Sequence, residues 1–174
     1  MPYSMSQNLI PICVTGLNAL SGVLDKAAAH AAAKKTDPAV LLGWRLAPDM
    51  FALTRQVQVA CDQAKNGASR LAGVEPPKFE DNEATIDQLK DRIARTLAHI
   101  KSLDAAAIDA SSEREIVFPL GPKKAKMKGA DYLNHFVLPN FFFHLTATYA
   151  IARNFGTDLA KRDFLGAIPM SIVE

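Results

Sequence analysis

The sequence predicts an all-α fold, a four-helix bundle with a short helix after its first long helix and a small β-hairpin before its last. Three observations predict it. Apolar residues recur at spacings of three and four along four separate stretches, β-compatible runs are confined to one region near residues 115–128, and no internal repeat or low-complexity linker interrupts the chain. At 174 residues the chain fits a single domain, 1–174, able to bury roughly 70% of its unfolded surface. Neither a disulfide nor a metal is required to hold such a core together.

The first helix is expected from about Ser4 to Ala33, where Ile10, Cys13, Leu17, Leu20, Leu24, Ala27, Ala28 and Ala31 mark one buried face. Pro11 is tolerable there if the helix begins near Ser6, and bends it if the helix begins sooner. Asp37 followed by Pro38 is an N-cap with proline at the first helical position, opening a short helix to about Arg45. Ala47-Pro48-Asp49 is expected to start the second long helix, whose apolar face runs Leu53, Val57, Ala60, Ala64, Ala68 and Leu71 until Gly73 ends it. Val74 to Asn82, with Pro76 and Pro77 adjacent, reads as a loop.

A third helix is expected from about Ala84 to Ile108, with Ile86, Leu89, Ile93, Leu97 and Ile100 inward and a break at Ser111 to Glu113. Glu115-Ile116-Val117-Phe118 and the stretch around Ala125 to Lys128, separated by Leu120-Gly121-Pro122, form a hairpin too small for a sheet domain. The fourth helix runs from about Asp131 to Asn154 and stops near Gly156, and the tail from Thr157 packs back across the bundle.

Charge and composition narrow the function. Lys plus Arg total 20 and Asp plus Glu 18, a net charge of +2, with basic residues scattered among acids, which argues against a nucleic-acid binder. The cluster Lys123, Lys124, Lys126 and Lys128 reads as a solvated hairpin. No stretch is expected to supply the ~20 apolar residues of a membrane span, and no signal peptide is recognisable, so a cytoplasmic protein is expected. Cys13 and Cys61 fall on apolar stripes and read as reduced core thiols.

The fourth helix carries the polar residues that matter. At 100° per residue, Leu133, Val137, Asn140, His144, Thr148, Ile151 and Phe155 lie within about 40° of His144. Asn140 and His144 therefore interrupt an apolar stripe one turn apart, and burying them unpartnered would cost about 1–3 kcal/mol each. On the second helix Asp49, Gln56 and Gln63 recur every seven residues along one flank. They either line the same cleft or form a helix cap and a solvated edge. His135 falls on the opposite side of the fourth helix from His144, and His30 and His99 show no ligand pattern. Leu138, Phe142, Leu145 and Tyr149 make that helix apolar nearly all round. Either the hairpin and tail cover this second face or another subunit does, and a homodimer is expected.

Arg45-Leu46-Ala47-Pro48-Asp49-Met50-Phe51, Gln56-Val57-Gln58, Asp131-Tyr132-Leu133, Asn140-Phe141-Phe142-Phe143-His144 and Lys161-Arg162-Asp163-Phe164-Leu165-Gly166 resemble the bacterial DUF1993 family over most of the chain. That family is similar to the wider DinB/YfiT-like superfamily of four-helix bundles, which includes metal-dependent thiol transferases and isomerases. The resemblance implies a divalent ion, zinc, nickel or iron, held by one histidine of the second helix and an H-x-x-x-H pair of the fourth. Here the pair reads Asn140-x-x-x-His144 and the second helix has no histidine, leaving Gln56 or Asp49 as substitutes. One imidazole with amides is a poor first-row metal site, so no cofactor is expected and His144 is the one imidazole the pattern offers.

The expected function is small-molecule binding in an inter-helical cleft formed by Asn140, His144, Gln56 and Asp49, with His144 and Asp49 as acid–base candidates. A divergent metal-dependent enzyme, thiol transferase or isomerase-like, is one alternative. A dimeric, non-catalytic interaction or stress-associated module is the other. No Gly-rich phosphate loop, C-x-x-C or G-x-S-x-G occurs to name a substrate.

Overall fold

In the computed structural model, which describes residues 4–171, the chain is mostly helical with one two-stranded hairpin. Helix α1 (Met5–Ala33) opens with a capping box: the Ser4 hydroxyl accepts from the Gln7 backbone N–H, and the Gln7 side chain accepts from the Ser4 N–H. Starting at Met5, the helix encloses Pro11, which leaves the Gln7 carbonyl without its i+4 donor. Asp37 caps α2 (Pro38–Gly43) by accepting from the Ala39 N–H at 2.9 Å.

Helix α3 (Leu53–Ala72) begins four residues beyond Asp49, later than the sequence suggests. The reason is local. Residues 47–50 close as a turn through their own Met50 N–H to Ala47 carbonyl bond, Leu53 N–H reaches back to the Trp44 carbonyl, and Ala52 is extended. Asp49 therefore sits exposed in a turn rather than at the helix N-terminus. The other end behaves as expected, with Gly73 in the left-handed region at φ 76°.

Helix α4 (Ile86–Lys101) is shorter than its apolar period, because Asp104 starts a separate helix α5 (Ala105–Asp109) by accepting from the Ala106 N–H. Strands β1 (Glu115–Leu120) and β2 (Lys123–Lys128) pair antiparallel with Glu115 opposite Lys128. Gly121 at φ 57° followed by Pro122 has the signs of a type II′ turn. Lys126 and Lys128 are tied to Glu115 and Glu113 on this solvated ribbon. The last long helix is composite: α6 (Gly129–Asp131) passes through a π-helical segment (Tyr132–Val137) into α7 (Leu138–Asn154), and α8 (Lys161–Leu165) follows.

The four long helices close around one core, α3 lying against α4 and α7, and α1 against the same two. Leu17, Leu24, Val57, Leu71, Ile93, Val137, Phe141 and Ile151 fill it. Cys13 and Cys61 belong to this core, and burial pushes both thiols up to about 12. The tail covers part of the second face of the last helix, and the hairpin packs on the π segment that precedes it. Phe118 packs on Tyr132 and Phe136 with ring centroids at 4.7 and 4.5 Å, and Phe164 meets Tyr149 edge-on at 5.9 Å. Phe142 is left 41% exposed.

Contrary to the sequence expectation, α1 is long and apolar enough, by length and composition, to cross a membrane. Its apolarity has a use within the fold. Leu9, Cys13, Leu17, Leu24, Ala27 and Ala31 are fully buried against the other helices.

The loop between α3 and α4 is fastened by ion pairs. Arg92, fully buried on α4, donates through Nη1 to Glu83 (2.9 Å) and the Glu80 carbonyl (3.1 Å), and through Nη2 to Asp62 (2.9 Å). Asp81 lies 3.0 Å from the same Nη2. The Phe79 ring of this loop receives Lys65 at 4.2 Å and Arg95 at 4.5 Å.

Candidate functional site

The late start of α3 builds the site. Because Phe51 precedes the N-cap, its carbonyl lies outside the helical ladder and is free to accept a side-chain donor. Gln56, only 1% exposed in the first turns of α3, supplies one: its Nε2 lies 3.2 Å from the Phe51 oxygen. The amide oxygen of Gln56 is 2.7 Å from Nδ1 of His144, which projects from the middle of α7 and is 8% exposed.

Two exposed aromatic residues adjoin this pair, Phe143 preceding His144 in the chain and Phe51 offering Gln56 its carbonyl. Phe143 meets the His144 ring edge-on with centroids 5.1 Å apart, and Phe51 carries the Arg55 guanidinium 5.8 Å from its centroid. Arg55 also donates to Gln58 at 3.1 Å and pairs with Asp81. Burial holds the His144 imidazole below the ordinary histidine value, and the positive charge of Arg55 acts in the same direction.

The structure thus hydrogen-bonds two of the four candidate residues to each other, and neither of the other two bonds to that pair among the described residues. Asn140 turns its amide back onto its own helix, donating to the Phe136 carbonyl at 2.6 Å where the π segment gives way to α7. Asp49 makes no hydrogen bond among the described residues. Gln63 is half-buried on α3. Phe51, Arg55 and Phe143 went unidentified in the sequence as site residues, although each adjoins a candidate or the loop that precedes it.

The remaining histidines lie elsewhere. His99 sits 2.7 Å from the fully buried Ser69 hydroxyl, with burial and Lys65 both lowering its pKa. His30 packs edge-on against Phe155, and His135 is exposed.

A divalent ion of the kind the wider superfamily implies does not fit these residues. One imidazole already committed to an amide, an asparagine bound to its own backbone and one exposed carboxylate are not a first-row donor set. Among the described residues no three His, Cys, Asp or Glu side chains gather in a way that could hold a metal.

Comparison with known proteins places the chain. A crystal structure of a DinB family member protein from Shewanella denitrificans is 36% identical, with a TM-score of 0.90 over 97% of this chain and 95% of that one. No curated protein matches the sequence significantly. The family described as Domain of unknown function (DUF1993) matches residues 5–165. With the fold and nearly the whole length accounted for, the chain belongs to the DUF1993 family.

Proposed function

We propose that the four long helices act as a DinB-like four-helix bundle scaffold for a small-molecule site at the junction of α3 and α7, centred on His144 without a complete metal triad. One observation carries this reading. The His144 ring, more than nine-tenths buried, commits Nδ1 to Gln56, while Nε2 has no partner among the described residues and is not among the fully occluded polar atoms. A fold that keeps a ring nitrogen reachable and uncommitted on a mostly buried histidine, beside the exposed Phe143 ring, has the elements of a ligand contact.

The test is a titration of the full chain with a panel of small alcohols, phenols, amines and carboxylic acids, followed by amide and histidine-ring NMR. Saturable shifts are expected at Phe51, Arg55, Gln56, Phe143 and His144, and should disappear in His144→Phe. Absence of any saturable shift there, or shifts that survive the substitution, would overturn the proposal.

A second reading, a homodimeric module, is favoured by Phe142, Leu165 and Ile168, exposed along an apolar groove of about 250 Å³ between α1, α7 and α8. Light scattering on wild type and Phe142→Asp decides it. A monomeric wild type removes this reading.

A further inference from the structure

We infer that Gln56 is a positioning residue that selects the Nδ1–H tautomer of His144, so that the ligand of this site must present a hydrogen-bond donor to Nε2. The inference rests on the small-molecule reading above and specifies its chemistry.

The steps follow from what each atom can do. The Phe51 carbonyl can only accept, so the Gln56 atom facing it at 3.2 Å is the amide nitrogen. The amide is planar, which turns its oxygen toward His144, 2.7 Å from Nδ1. An amide oxygen also only accepts, so Nδ1 carries the proton. A neutral imidazole has one N–H, and Nε2 is then a bare lone pair. Reversing the amide would set its oxygen against the Phe51 carbonyl oxygen, and Gln56 is too deeply buried for water to relieve the opposition.

Free histidine has no such constraint and exchanges between tautomers. Here the choice is made by a backbone carbonyl through one side chain. The neutrality this requires agrees with burial and the nearby Arg55, both of which disfavour imidazolium.

The ligand class follows. A lone pair at Nε2 accepts from an O–H or N–H and opposes a carboxylate or phosphate oxygen that brings no proton. The exposed ring of Phe143, edge-on to His144, suits an apolar or aromatic body beside that donor. Phenol is the simplest probe of this description, and anisole is the same ring with its donor methylated.

The experiment has two arms. In the first, two-bond ¹H–¹⁵N correlation on the ¹⁵N-histidine-labelled full chain near pH 8, with no ligand present, reports the His144 tautomer. His144→Phe identifies its signals. The expected wild-type pattern is a protonated Nδ1 and an unprotonated Nε2, with Gln56→Leu moving the ring toward Nε2–H. Should Gln56→Leu fail to fold, Gln56→Met, which likewise removes the acceptor facing Nδ1, is the second variant, with the same expected move toward Nε2–H. A wild-type ring protonated at Nε2, or a tautomer indifferent to Gln56→Leu, would overturn the positioning role.

In the second arm, phenol should perturb the His144 ring nitrogens at least tenfold more tightly than anisole. Equal binding of the two overturns the donor requirement. Binding of neither counts against the site itself while the tautomer result stands, so the two failures are distinguishable.

Discussion

Replacing Arg92 with methionine removes one charge from the centre of the α3–α4 contact while keeping most of the apolar stem. The partner that suffers most is Glu83, whose side chain is 3% exposed and which would retain the 2.8 Å bond from Gln58, a backbone hydrogen bond and a longer approach from Arg95 at 3.9 Å. Asp62 and Asp81 are more exposed and can be rehydrated, so their lost pairs add little. Stranding one buried carboxylate by deleting its partner costs about 3–5 kcal/mol, a large part of the ~5–15 kcal/mol typical of a domain. Urea unfolding at pH 7.5 should show the midpoint falling by about 1 M or more, taking a slope of roughly 1–3 kcal/mol per M.

The pH dependence adds a second signature. In the wild type, burial works to raise the Glu83 carboxyl, but hydrogen bonds from Arg92 and Gln58 outweigh it and leave it below the ordinary 4.5. That contribution is complete above the ordinary value and is lost as pH falls through the folded one. Without Arg92, burial is opposed mainly by Gln58 and the carboxyl moves upward, so the variant gains stability as pH falls. The deficit should therefore narrow toward pH 4, and Glu83→Gln placed on Arg92→Met should recover part of it. A variant within about 1 kcal/mol of wild type, or no recovery from Glu83→Gln, would refute the assignment of Arg92 as the buried counter-charge.

Two further outcomes test other parts of the fold. A Cβ at Gly67 would lie 2.5 Å from Val137 Cγ1, so Gly67→Ala should destabilise by about 1–3 kcal/mol through overpacking. Val137→Ala should relieve much of that clash, and a strictly additive double-mutant cycle would contradict the close approach of α3 to the π segment. His144 and His99 both have folded-state pKa values below the ordinary 6.5, so the unfolded chain takes up protons that the folded one refuses. Stability should be complete above about 6.5 and fall as pH drops toward the folded values. Thermal melts from pH 7.5 to 5.5 should show a smaller loss in His144→Gln than in wild type, and parallel curves would exclude a shifted His144.

Long-period features of the fold were legible in the sequence because they repeat. The faces of α1, α3 and α4 are stated many times over by their apolar residues, and the Asp37-Pro38 cap and Gly73 stop are local chemistry. Features decided once, by a single competing bond, were not. Nothing in Ala47-Pro48-Asp49 announces that Leu53 N–H will reach back to the Trp44 carbonyl and delay the helix. Asp104 interrupts an apolar period that otherwise continues to Ile108. Arg92 lies among apolar residues on α4, and only the acids of the following contact, Glu83 and Asp81 in the loop and Asp62 on α3, explain its burial. At the site, the prominence of His144 and Gln56 among apolar neighbours was visible, whereas the angle that takes Asn140 away from them depends on its own backbone near Pro139.

The two polar clusters are joined mechanically. Asp81 bridges them, pairing with Arg55 on one side and Arg92 on the other, while Gln58 accepts from Arg55 and donates to Glu83. The α3–α4 loop therefore restrains Arg55, whose charge helps keep His144 neutral. Arg55 is spent on these contacts, so it supplies a fixed field at the site rather than a free hand for an anion. That agrees with a site whose open atom is a lone pair. A metal triad would need three converging ligands brought from different helices, whereas the proposed site needs only one imidazole, paired with an amide that a backbone carbonyl orients.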